Sequence, residues 1–150
     1  MPNKATPQEA TAMLRADHAK VSKLFARFEK SRSLAKKKDL VATICKELLV
    51  HTEIEETIFY PAVQAALKDH ALVPEANVEH ASIKTLIDQV DGADPGSDEY
   101  DAKVKVMAEY VKHHVKEEHT EMFPKARKTK LDMRLLGAQM ADRKAELMAR

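Results

Sequence analysis

His51-Thr52-Glu53-Ile54-Glu55-Glu56-Thr57-Ile58-Phe59-Tyr60-Pro61 is restated further along the chain as His114-Val115-Lys116-Glu117-Glu118-His119-Thr120-Glu121-Met122-Phe123-Pro124. Both stretches read His-x-x-x-Glu, then an apolar-aromatic pair, then Pro. The offset is constant: 51 to 114, 55 to 118 and 61 to 124 are each 63 positions. A His and a Glu four apart lie one above the other on the same helix face. Written twice, the pair offers two imidazoles and two carboxylates to a common centre. That pattern suits a two-metal site inside a helix bundle.

The rest of the chain fits a helical frame. Its 150 residues match the usual size of one domain, about 100–150 residues, so residues 1–150 are read as a single domain. Charged residues make up 33% and aromatics 5%, with three glycines and six prolines to punctuate the elements. Ala, Leu, Lys, Glu, Met and Arg dominate, and all favour helix. The fold class expected is all-α.

Composition also excludes functions. The net charge of +1 comes from interspersed signs, which gives no electrostatic case for nucleic acid or for a membrane surface. The run Lys36-Lys37-Lys38 reads as a solvated turn. No stretch approaches the roughly 18 apolar residues of a membrane span. The N-terminal residues lack the apolar core of a signal peptide, and Cys45 is the single cysteine, so a cytoplasmic setting is expected. Cys45 is read as a small core residue.

Thr6 and Pro7 read as the cap and first position of a helix over about 7–31. Ser31 to Lys38 is expected to turn, and a second helix to span about 39–69, bent or ended at Pro61. Pro74 opens a third helix over about 75–90, with Val78 among its inward residues. Asp91 to Asp98 is the clearest loop, and a fourth helix follows to about 127, interrupted by Pro124. Four long helices with short connections predict an up-down-up-down four-helix bundle over about 7–127, built from two repeated hairpins. Residues 131–150 add a short C-terminal helix, interrupted at Gly137, expected to pack on the bundle without serving its chemistry.

The repeat sorts the seven histidines. His18 follows Asp17 on the first helix and His80 follows Glu79 on the third, 62 positions apart. Each half therefore states a lone His and then a His-x-x-x-Glu. His18, His51, Glu55, His80, His114 and Glu118 are the candidate metal ligands, and an antiparallel bundle can bring them to one level. Imidazole suits iron, zinc, copper or nickel, and carboxylate can bridge two hard or borderline cations. A structural protein has no reason to bury four imidazoles and two carboxylates without partners. His113 would point about 100° away from the face of His114. His119 aligns with Glu56 and is a candidate extra ligand or ligand-supporting group. The ferritin-type Glu-x-x-His spacing is absent, as is His-Glu-x-x-His.

The order His18, His51-x-x-x-Glu55, His80, His114-x-x-x-Glu118 resembles the hemerythrin-like, His-His-Glu cation-binding domains, over roughly residues 10–127. The resemblance implies a four-helix bundle with two iron ions in a non-haem, oxo- or hydroxo-bridged centre. His18 and His51 would hold one iron, His80 and His114 the other, and Glu55 and Glu118 would bridge. Manganese is the alternative metal. One departure stands out: where the oxygen carriers of the family have a second His, one turn after the third-helix ligand, this chain has Lys84. The expectation moves from reversible O₂ carriage to binding or consuming a small oxidant (peroxide, O₂ or NO) in oxidative or nitrosative stress. An iron or oxygen sensor, or an iron-handling module without turnover, is the alternative. Lys84 is either a cation beside bound anionic oxygen or a side chain reaching solvent. Glu47 and Tyr110, one turn before each motif His, are candidates for an orienting carboxylate and a ligand-binding hydroxyl. Phe59, Tyr60, Met122 and Phe123 are expected to form an apolar wall. No nucleic-acid or membrane partner is expected, and oligomeric state is open.

Overall fold

The computed structural model describes residues 8–150. Four long helical runs form the bundle. The first is α1 (Ala10–Lys30). The second joins α2 (Leu34–Ile54), a π-helical turn (Glu55–Phe59) and α3 (Tyr60–Leu67). The third is α4 (Leu72–Asp91). The fourth joins α5 (Asp98–Glu117), a second π-turn (Glu118–Met122) and α6 (Phe123–Arg127). A C-terminal helix, α7 (Met133–Met148), lies against α1 and α2. The described residues contain no strand.

Local chemistry sets the helix ends. Ser33, Ser97 and Asp132 accept from the backbone N–H groups of Lys36, Tyr100 and Leu135, as N-cap side chains do. Asp69 takes the N–H groups of Ala71, Leu72 and Val73 before α4. Helix α1 starts at Ala10 with Glu9 as its cap, and the expected Thr6-Pro7 start lies outside the described residues. The first turn is shorter than expected. Ser33 already caps α2, so Lys36, Lys37 and Lys38 belong to its first turns.

The two prolines do not end their helices. Pro61 and Pro124 have no N–H and would crowd the preceding turn of an α-helix. Both follow a π-turn, in which the N–H of Tyr60 reaches Glu55 O and that of Phe123 reaches Glu118 O. Each proline then falls at the start of a fresh α-segment, where a missing donor costs little.

The buried residues of the bundle step by three and four, the spacing of an a/d seam. Helix α1 contributes Leu14, His18, Val21, Phe25 and Phe28; α4 contributes Ala76, His80, Ile83 and Ile87. Val78 falls off that seam and is exposed. The seam makes two apolar clusters. One holds Leu14, Ile54, Phe59 and Phe123, and the other Phe28, Ile44, Ile83 and Met107. A polar layer separates them. Gly137 lies within α7, where a Cβ would overlap the backbone of Gln8 and crowd that of Ala10, so the absent side chain permits the close docking on α1.

Candidate metal centre

The polar layer brings all six candidate ligands together. His18 comes from α1, His51 from α2, His80 from α4 and His114 from α5. Glu55 and Glu118 open the two π-turns. All six are buried. Their Nε2 atoms face inward: His18 and His51 approach to 3.1 Å, as do His80 and His114. Glu55 Oε1 is 3.0 Å from His51 Nε2 and 3.1 Å from His80 Nε2. Glu118 Oε1 is 3.0 Å from His114 Nε2 and 3.4 Å from His18 Nε2. Each carboxylate thus spans the two histidine pairs.

Each outward Nδ1 also has a partner. His51 donates to Asp17 Oδ2 at 3.0 Å, His114 to Glu79 Oε1 at 2.9 Å and His80 to Glu56 Oε2 at 3.0 Å. His18 shares a 2.8 Å hydrogen bond with His119 Nε2. Every one of these partners is the chain neighbour of an inward group: Asp17 of His18, Glu79 of His80, Glu56 of Glu55 and His119 of Glu118. Such contacts fix the ring orientation and tautomer of a ligating imidazole.

The inward oxygens are short of partners. Among the described residues, Glu55 Oε1, Glu55 Oε2 and Glu118 Oε1 are buried without a hydrogen bond, although imidazole nitrogens lie 3.0–3.1 Å from the two Oε1 atoms. Buried polar atoms are rarely left so. Four inward imidazole nitrogens and these carboxylate oxygens fit transition-metal cations. Two groups lie close enough to share an ion: His18, His51, Glu55 and Glu118, and Glu55, His80 and His114.

Electrostatics follow from the same contacts. Burial opposes charge on His51, but Glu55 and Asp17 raise it to about 10; burial likewise opposes charge on His114, but Glu118 and Glu79 raise it to about 11. Despite its burial, Glu55 is held well below the usual carboxylate range by His51. Asp17 is also held low, by His51 and Lys144 against its burial. His119 is lowered by burial and by His18 and Arg15, which keeps its ring neutral.

The further candidates fall differently. His119 supports His18. Lys84 does not face the centre: its Nζ pairs with Glu56, 2.8 Å from Oε2. Glu47 is buried but pairs with Lys20 at 2.7 Å, and Asp17 is the carboxylate that orients His51. Tyr110 is 48% exposed, on the outer side of α5, and lines a surface groove with Glu79 and His113. Lys84 and Tyr110 are each four residues from a candidate ligand His, whereas the seam steps by three there, to Ile83 and Val111; Glu47 is buried but turned to Lys20.

Tyr60 is the site residue that periodicity hides. Its Oη donates to Glu118 Oε2 at 3.0 Å and lies 3.1 Å from Nε2 of both His80 and His114. Burial, with Glu55 and Glu118 nearby, pushes its pKa up and keeps it a phenol. In a regular helix a residue five beyond Glu55 faces away. The π-turn, bonded i to i+5, puts Tyr60 back on the face of Glu55. The doubled proline is the sequence signal for that turn. At the matched position Phe123 has no hydroxyl, and its ring lies parallel to that of His18. Lys144 was also unforeseen. It reaches from α7 to donate to Asp17 Oδ1 at 2.6 Å, so the C-terminal helix does touch the support of the centre.

Comparison with known proteins agrees with this fold. In the solved structures, a hemerythrin HHE cation-binding domain-containing protein from Mycobacterium kansasii, an Rv2633c homolog, superposes with a TM-score of 0.79. It is 22% identical, with 95% of this chain and 88% of that one covered, and shows the shared fold. A DNA nickase of Nostoc sp. is 30% identical over 111 residues. The match takes in 74% of this chain but 31% of the nickase, so the chain spans about a third of that protein's length. Residues 9–126 match the family described as the hemerythrin HHE cation binding domain, and the chain belongs to that family.

Proposed function

We propose that the chain is a non-haem di-iron protein that binds or reduces a small oxidant: peroxide, O₂ or NO. The observation that carries this reading is the polar layer itself, with four inward imidazole nitrogens and three buried carboxylate oxygens lacking a hydrogen bond. His18 and His51 would hold one ion, and His80 and His114 the other. Glu55 and Glu118 would span both. The imidazole-rich set favours iron over manganese, which prefers oxygen ligands. Two iron ions would supply redox-active positions at which a small oxidant can bind.

The chain's own residues suit that chemistry. Asp17, Glu79, Glu56 and His119 keep the four rings turned inward. Tyr60 offers a phenolic proton at Oη, beside His80, His114 and Glu118. Ile54, Phe59 and Phe123 close one side of the layer against water. On the other side a cavity of about 20 Å³ reaches His18, His51, His80 and His114 between Val21, Leu48 and Ile83. About 10–15 Å³ accommodates one water, so this space suits a diatomic or peroxide and excludes an organic substrate.

A sensing role is the second reading, favoured by the path from α7 through Lys144 and Asp17 to His51. The nickase relative places a similar segment in a longer protein named for acting on DNA. The evenly mixed charge of this chain, net +1, supports a small-molecule reading for it.

Metal analysis with rapid mixing against O₂, peroxide and NO tests the proposal. Iron-loaded protein that consumes one of the three supports it. Bound iron with no consumption but a change in α7 selects the sensor. Protein that stays metal-free after reconstitution overturns both.

A further inference from the structure

The two halves of the centre are built to one plan, and they differ at matched positions. Three of the four Nδ1 partners are carboxylates: Asp17, Glu79 and Glu56. The fourth, 63 residues from Glu56, is His119. When His18 binds a metal through Nε2, its Nδ1 carries the proton, so His119 Nε2 must accept and its ring is neutral. A carboxylate partner strengthens an imidazole as a donor more than a neutral ring does.

Charges around the two halves do not cancel this difference. Lys84 pairs with Glu56 and Lys144 with Asp17, one cation on each side. Glu79 is then the extra carboxylate beside the His80/His114 pair. On the other side Arg15 lies over the Phe123 ring, 5.8 Å from its centroid. Accessibility differs in the same sense: His80 is 1% exposed and His18 is 8%.

We propose that the two metal positions are unequal, and that the pair Glu56 and His119 sets the order. The His80/His114 position fills first and empties last. The His18/His51 position is the labile one. This rests on the two-metal reading above. Glu56 and His119 are positioning residues, since each acts through an imidazole and neither faces the ions.

Stepwise titration of metal-free protein with cobalt(II), followed by its visible absorption, tests the order. The native chain gives two steps, separated by about tenfold or more in affinity. His119→Glu strengthens the second step by about tenfold and draws the two together, while Glu56→Gln weakens the first by a similar factor. His119→Gln, which keeps a neutral partner, leaves the spacing near that of the native chain and controls for misfolding. Melting curves of the metal-free variants are recorded alongside. Two equal steps in the native chain, or unchanged spacing in a folded His119→Glu, overturn the inequality but leave the two-metal centre standing. No cobalt binding at all overturns the centre itself.

Discussion

Lys144, on the last helix, donates a 2.6 Å hydrogen bond to the buried carboxylate of Asp17. The other oxygen of Asp17 accepts from His51 at 3.0 Å. A residue 127 positions along the chain from Asp17 therefore bears on a candidate metal ligand. Asp17→Ala would leave His51 Nδ1 without its acceptor, and metal affinity should fall about 10–100-fold. Lys144→Met should cost less, about 1 kcal/mol of stability, because Lys144 is partly exposed and its ion pair screened. Equilibrium metal competition and chemical unfolding measure the two effects. Equal metal affinity in Asp17→Ala and the native chain would contradict this role.

Tyr60→Phe and Phe123→Tyr exchange the one hydroxyl that distinguishes the matched π-turns. The first removes a donor to Glu118 Oε2 without changing the shape of the ring. It should lower stability by about 1 kcal/mol, retain metal, and alter the absorption spectrum of the loaded protein. Phe123→Tyr places a hydroxyl against the His18 half and should alter the spectrum in its own way. A Tyr60→Phe spectrum and oxidant rate identical to the native ones would remove Tyr60 from the site.

The pH dependence has a defined sign. In the metal-free protein His51 and His114 are raised to about 10 and about 11, above the ordinary 6.5. A raised histidine stabilises the fold in full below about 6.5, and that stability is lost as pH climbs through the folded value. The melting temperature of metal-free protein should therefore fall between about pH 7 and pH 10. Metal-loaded protein should change less over that window, because its imidazoles no longer bind the protons. Loading near pH 8 should release about two protons per chain, which a weakly buffered indicator measures. A metal-free melting temperature that rises over this window would contradict the buried ion-pair arrangement.

Gly137→Ala tests the docking of α7. The added Cβ would overlap the backbone at Gln8 and Ala10, which cannot yield as a flexible side chain can. Overpacking of this kind costs about 1–3 kcal/mol. Hydrogen exchange should speed up in α7 and at the start of α1, with the far end of the bundle little changed. Native exchange rates in α7 would show that the two elements separate more freely than their contact suggests.

The six candidate ligands were legible as one group because two periods coincide in this chain. The 63-residue repeat pairs the histidines, and the four-residue step from His51 to Glu55 is one helical turn. Both survive folding because His51 precedes the π-turn and Glu55 only opens it. Tyr60 follows it, and there a 3.6-residue phase gives the wrong face. Tyr110, Lys84 and Glu47 show a subtler limit. At one turn's distance a residue lies either on the seam or beside it, and only the packed neighbours decide. The carboxylates behind the imidazoles were visible as chain neighbours of candidate ligands, but their crossing to other helices is a tertiary fact. Lys144 had no local signal at all.

On the proposed reading, the polar layer is a two-metal centre spanned by Glu55 and Glu118. Its most direct test is the iron content of the reconstituted native chain beside that of a Glu55→Ala, Glu118→Ala double variant, each checked for helix content. About two irons per native chain are expected, and nearly none in a variant that remains helical. A native chain that binds no iron, or a folded variant that binds as much as the native, would contradict it.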